Sequence, residues 1–212
     1  VIGSKDGAAE TALDAYKKAL KDSPQDPSIY YQIGQIYLAM TDLETMKASQ
    51  AAGKQVTSLP DKAKENLALA KQSFEKAVEL KSNYIPAQFM IAVVLQRQGE
   101  IDQAIAKLEE SQKMNPRDTG ISFQLGVLYF QTGKYEQART VLESTVKLAE
   151  NYSNAMYFLG LTYDKLGDKQ KALEQFQKVS ELNPDNADVK KIVSNLQAGK
   201  KALDGLEQSP AG

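Results

Sequence analysis

The chain of 212 residues contains no His and no Cys. Ser-His-Asp catalysis, cysteine nucleophiles, imidazole zinc sites and thiolate metal sites are therefore excluded. Disulfides are excluded too, and a Cys-free chain is at home in either redox compartment. What remains for catalysis is carboxylate chemistry. Glu109-Glu110, and Asp164 with Asp168, are the candidate pairs. Such a pair does acid–base work only in a closed, desolvated site that separates the two pKa values. Arg97 and Lys165 are the basic residues placed to hold an acidic group. Cations near helix ends ordinarily just complement the dipole or solvate the surface. Asn151-Tyr152-Ser153 fits the glycosylation acceptor pattern, a short match that is frequent by chance.

The elements that must position these groups repeat. Residues 85–118, 119–152 and 153–186 abut in register, each with a helical stripe of apolar residues, a Gly-centred break (Gly99, Gly133, Gly167) and a second stripe. Each unit reads as a helical hairpin. Gly126 and Gly160, with Ala92 in the first unit, are expected to face Ala104, Ala138 and Ala172 of the second helices, while Tyr129, Tyr163 and Phe176 fill the space between neighbours. Pro116 and Pro184 stop the second helix and force the turn. On such an open array the carboxylate pairs fall on outward or rim positions, which points away from an enzyme.

The spacing L-G-x-x-Y, then A-x-x-x-F, then P, on a period of 34 residues, resembles the tetratricopeptide repeat (TPR) family. Leu125-Gly126 with Tyr129, and Leu159-Gly160 with Tyr163, carry the likeness, and Ile33-Gly34 with Tyr37 adds an upstream first helix. Gln88 and Ser122 stand where a large aromatic is usual, and Glu150 replaces the closing Pro, which predicts a softer joint there. The resemblance implies an all-α fold: a right-handed α-solenoid of stacked hairpins, with one hairpin extended by an insertion. The expected divisions are a half repeat with a second helix alone (1–26), a repeat with its insertion (27–84), three repeats (85–118, 119–152, 153–186), a capping helix (187–206) and a tail (207–212). In the half repeat Ala12, Tyr16 and Ala19 fall where a second helix needs them. In the cap Val189, Ile192, Val193, Leu196, Leu203 and Leu206 form one stripe, broken at Gly199. An orphan second helix is the mark of a chain cut from a longer polypeptide.

Residues 41–64 break the period. Gly34 and Ala70 lie 36 residues apart where the family spaces them by 12, an insertion of 24. Leu59, Ala63, Leu67, Ala70, Phe74 and Ala77 make a continuous stripe, so the second helix is expected to start near Leu59 with Ser58 as its cap. Upstream, Met40, Leu43 and Met46 either extend the first helix to Ala52, with Gly53 ending it, or follow a normal turn as a separate short helix. The extended reading is preferred, with a lightly packed tip.

The family binds extended or helical peptides on the concave surface lined by first helices. Carried onto this chain, that surface comprises Tyr31, Gln35 and Leu38; Phe89, Val93 and Gln96; Phe123, Val127 and Phe130; Tyr157, Leu161 and Asp164. It is largely apolar and aromatic, which fits a protein or peptide partner of like character. Aromatics at these positions also recur in the family as partly buried packing. The Lys and Asn with which some relatives clamp acidic C-terminal tails are missing. A net charge of -1 with both signs interspersed gives no nucleic-acid footprint, and no apolar run is long enough to insert in a membrane.

The resemblance thus implies a non-catalytic protein-interaction scaffold, with no cofactor and no metal. The alternatives are an accessory TPR region of a larger bacterial membrane or envelope enzyme of the glycan polymerase or ligase kind, and a self-association module forming homo-oligomers. The compartment is open: soluble, cytoplasmic, or facing the outside of a bacterial membrane if the chain is a fragment.

Overall fold

The computed structural model describes residues 2–206, and those residues hold ten α-helices and no strand. The expected tail, 207–212, lies outside the described residues. The helices form two compact units, one ending at Met114 and the other starting at Asn115.

The first unit contains α1 (Ile2–Asp22), α2 (Pro27–Ala52), α3 (Asp61–Leu80), α4 (Ile85–Arg97) and α5 (Ile101–Met114). Leu13 of α1 packs with Ile29 and Ile33 of α2, and Tyr16, Ala19 and Leu20 close over them. Leu67 and Phe74 of α3 and Leu108 of α5 have no exposed surface. Burial of a large apolar side chain is worth about 1.5–3 kcal/mol, which makes these positions the anchors of the hairpins.

In α2 the longer hairpin reading is the observed one. The helix runs unbroken for 26 residues against 13 in α4, a difference of about 20 Å at the helical rise. Thr41 and Leu43 are buried, and the Thr41 hydroxyl donates to the Tyr37 carbonyl at 2.9 Å. Past Leu43 no residue of α2 is buried, and Met46 is exposed. Gly53 ends the helix at φ 64°, a left-handed conformation that a side chain would strain. The start of α3 corrects the expectation: Pro60, not Ser58, holds the cap position, and no side chain caps the helix. Proline's fixed φ near −65° suits this place, and the chain turns helical only after it.

The second unit contains α6 (Thr119–Gln131), α7 (Tyr135–Leu148), α8 (Ser153–Leu166), α9 (Lys169–Leu182) and α10 (Ala187–Gln197). Its core includes Ile121, Leu125, Leu142, Phe176 and Ile192, each at most 1% exposed. The glycines of the first helices face other partners than the alanines expected of them. A Cβ on Gly160 would lie 2.7 Å from Phe176 Cε2, and one on Gly126 2.6 Å from Leu142. The small residue makes room for a large side chain one turn beyond the alanine. Glu150, in place of the closing Pro, leaves the turn geometry intact: Tyr152 N–H donates to Ala149 O at 3.0 Å, as Asn186 N–H does to Asn183 O at 3.1 Å.

The cap is shorter than expected. Helix α10 stops at Gln197, and the chain then folds back in turns. The Asn195 amide donates to the Ala202 and Asp204 carbonyls at 3.0 and 2.7 Å, and Ala202 is fully buried where Leu203 and Leu206 are only half-buried. A side-chain amide that supplies hydrogen bonds to backbone carbonyls replaces the helix that the apolar spacing implied.

Candidate functional site

Helices α2, α4, α6 and α8 are the first helices of their hairpins, and the residues expected to bind a partner lie on them. Caps fix where the helices begin. Asp26 accepts from Ser28 N–H at 2.8 Å, Asp118 from Ile121 N–H at 3.0 Å, and Asn186 from Val189 N–H at 3.0 Å, the usual chemistry for orphan amides at a helix start. Tyr84 and Tyr152 occupy the same cap position before α4 and α8, and neither makes a side-chain cap hydrogen bond.

Those tyrosines have other neighbours. Tyr84 meets Tyr31 edge-on with ring centroids 5.6 Å apart, and Tyr152 meets Phe123 at 5.0 Å. In the second unit the rings continue. Phe158 contacts Phe123 and Phe130 at 5.8 Å each and Tyr157 at 5.9 Å, all near-perpendicular. Tyr135 packs on Phe130 at 5.6 Å, and Tyr157 stands at 90° over Phe176. The near-perpendicular pairs place the positive edge of one ring on the negative face of the next, worth about 0.5–1.5 kcal/mol per pair beyond burial. Phe123, Phe130, Tyr152, Tyr157 and Phe158 are all half-buried, so each ring keeps part of its surface toward solvent.

The expected residues divide by depth. Tyr31, Phe89, Val93, Gln96, Phe123, Phe130 and Tyr157 are half-buried. Leu38, Val127 and Leu161 are 6–7% exposed and belong to the core beneath the face, not to its surface. Gln35 is exposed, and its amide donates to the Tyr31 hydroxyl at 2.9 Å. Asp164 is occupied: its carboxylate accepts from Ala202 N–H at 3.1 Å and ties down the segment after α10. Arg97 is also occupied, with its guanidinium 2.6 Å from the Asp42 carboxylate of the extended helix. Two other carboxylate candidates have structural partners: Glu110 pairs with Lys107 at 2.8 Å, and Asp168 caps the Lys171 N–H at 3.1 Å.

Phe158, Tyr84 and Tyr152 are the members of this face that repeat spacing does not single out. Phe158 follows Tyr157 directly, and one helical register cannot direct both rings the same way. The tyrosines do carry a signal, a phenol ring where a helix start calls for Ser, Thr, Asp or Asn.

Burial raises the phenols of this face above the ordinary tyrosine range, Tyr31 with Tyr84 beside it, Tyr152 with Asp118 near it, and Tyr157 with Asp188 near it. They remain neutral hydrogen-bond donors at physiological pH. Helix α6 has no charged residue along its length. The arrangement offers polarisable rings and phenol donors, and no group in it is poised to transfer a proton or attack a bond. No helix among the described residues is long and apolar enough to cross a membrane.

No curated protein sequence matches the chain. Solved structures do match in fold. YrrB, described as a TPR protein with an unusual peptide-binding site, is 24% identical, with 86% of this chain and 82% of that one covered at a TM-score of 0.61. TTC0263, a TPR protein of Thermus thermophilus, is 20% identical over 91% of this chain and 92% of its own, with a TM-score of 0.57. The first TPR domain of Spaghetti (RPAP3), solved with the HSP90 peptide SRMEEVD, is 19% identical over 54% of this chain and 91% of its own, with a TM-score of 0.52. Family models of the tetratricopeptide repeat match residues 118–185 and 5–40, and the model of subunit 3 of the anaphase-promoting complex, or cyclosome, matches residues 63–145. With its helical hairpins, its glycines seated against large second-helix side chains and these matches, the chain belongs to the tetratricopeptide repeat family.

Proposed function

We propose that this protein is a non-catalytic interaction scaffold that takes a peptide segment of a partner on the first-helix face of its second unit. The observation that carries the reading is the set of half-buried rings centred on Phe158, which joins α6 to α8. A contiguous apolar surface that keeps part of each ring exposed gains free energy when covered, at about 25 cal/mol per Å² before ordering costs. Two of the matched proteins are described with peptides, which supports the same reading. Tyr31, Gln35, Phe89, Val93 and Gln96 would serve the first unit in the same way, with an apolar or aromatic ligand.

Selection of a displayed random-peptide library on the full-length chain tests it. Enriched peptides should bind Phe123→Ala about tenfold or more weakly, the cost of truncating one aromatic anchor. The melting transition should stay single and cooperative. Peptides whose affinity is indifferent to Phe123→Ala would place the binding surface elsewhere and end this reading.

A further inference from the structure

The ligand's shape follows from which polar groups the platform leaves unpaired. An α-helical ligand has satisfied its own backbone carbonyls, and it offers acceptors only at its C-terminal end. An extended polyproline segment has no internal hydrogen bonds and offers a carbonyl at every residue. Among the described residues, the Tyr152 and Tyr157 hydroxyls have no hydrogen-bond partner, although both side chains are half-buried. Other tyrosines use theirs: Tyr163 donates to Glu143 at 2.6 Å and Tyr30 to the Pro24 carbonyl at 3.2 Å. The two idle donors stand on rings joined through Phe123 and Phe158.

Charge narrows the ligand further. Helix α6 carries none, and the carboxylates felt by the two phenols are Asp118 at Tyr152 and Asp188 at Tyr157. An acidic segment laid across these rings would meet like charge at both ends.

We propose that the α6–α8 aromatic platform takes an extended, proline-bearing segment without acidic residues, whose carbonyls accept hydrogen bonds from the Tyr152 and Tyr157 phenols. Proline suits both demands. Its ring stacks on aromatic faces, and its fixed φ reduces the entropy lost on ordering. The proposal rests on the reading of this face as the peptide site, and its test separates the two.

Three capped synthetic peptides of equal length serve as probes against the full-length chain in isothermal titration calorimetry. The first is an uncharged peptide with proline at every third position, the second the same peptide with two residues changed to Glu, and the third a hydrocarbon-stapled apolar helix. The proline peptide should bind about tenfold or more tightly than either of the others. The chain carrying both Tyr152→Phe and Tyr157→Phe should lose about tenfold of that affinity, the worth of one or two hydrogen bonds, with its circular dichroism and melting point unchanged. If the stapled helix binds as well or better and is lost in Phe123→Ala, the proposal is overturned and the peptide-site reading survives. Equal binding by the double Phe variant overturns it as well. Binding of the proline peptide that is indifferent to Phe123→Ala, or no binding by any probe, overturns both.

Discussion

Tyr84 and Tyr152 cost their helices a cap. At the same position Asp26, Asp118 and Asn186 each satisfy an amide of the first turn. A cap side chain of that kind is worth about 0.5–2 kcal/mol. The ring contact that Tyr152 makes with Phe123 returns about 0.5–1.5 kcal/mol. Tyr152→Asn should therefore change the stability of the chain by less than about 1 kcal/mol in urea titration, because the two effects oppose each other. The same variant should weaken peptide capture. A loss of several kcal/mol would mean that Tyr152 is packing and nothing more.

Tyr163 is a second residue whose chemistry can be measured. Its phenol is held above the ordinary tyrosine value, first by burial and then by its hydrogen bond to Glu143. A raised folded-state pKa means that the neutral phenol is preferred in the fold. Its contribution to stability is complete below the unfolded value of about 10 and is lost as pH climbs from there through the folded pKa. The stability difference between the native chain and Tyr163→Phe should be constant from neutral pH to about pH 10 and shrink above it. Parallel curves through about pH 11 would show that the phenol does not titrate differently in the two states.

At the scale of elements, the extended hairpin of α2 and α3 is the feature that departs most from the repeat. Its helical phase is legible from Leu59 onward. Whether α2 continues past Met40 is not, since Thr41, Asp42 and Leu43 fit a turn as well as a helix. The tertiary structure decides it by burying Thr41 and Leu43 against the hairpin partner, and Ala63 of α3 has no exposed surface. Beyond that point support is thin: Lys62 lies 3.6 Å from Glu44, and the residues from Gly53 to Pro60 are without regular structure. Brief trypsin digestion of the native chain should cut first after Lys54, which is exposed in that segment. First cleavage within α4 or α8 would contradict this order of local stability. The Arg97–Asp42 pair, exposed on both sides, is expected to contribute about 0–1 kcal/mol and to weaken with added salt.

For the molecule as a whole, repeat stability is a sum of units and the faces they cover. Helix α10 covers the last hairpin with Val189, Ile192 and Leu196, all at most 5% exposed. Ending the chain after Asn186 should cost several kcal/mol, at about 1.5–3 kcal/mol for each buried side chain removed. Hydrogen exchange should show the loss first in α9, where Val179 packs with Val189 and Met156. Unchanged protection of α9 would mean that α10 is not the cap of the second unit.

The sequence by itself determined the helical hairpins, their period and the family. Periodic apolar residues, turn glycines and prolines act over a few residues and leave their mark wherever they occur. It also determined that His and Cys chemistry is absent. Only the tertiary structure decided which of the expected groove residues keep a surface. Leu38, Val127 and Leu161 share a helix face with their aromatic neighbours, yet they are enclosed by elements far away in the chain. It also committed Arg97 to Asp42, 55 residues away, and Asp164 to Ala202, 38 residues away. It gathered Tyr152, Phe123, Phe158 and Phe130 into one platform across α6 and α8. Depth and partnership depend on which helix lies alongside, and helical periodicity specifies a side chain's direction on its own helix without naming what it will meet.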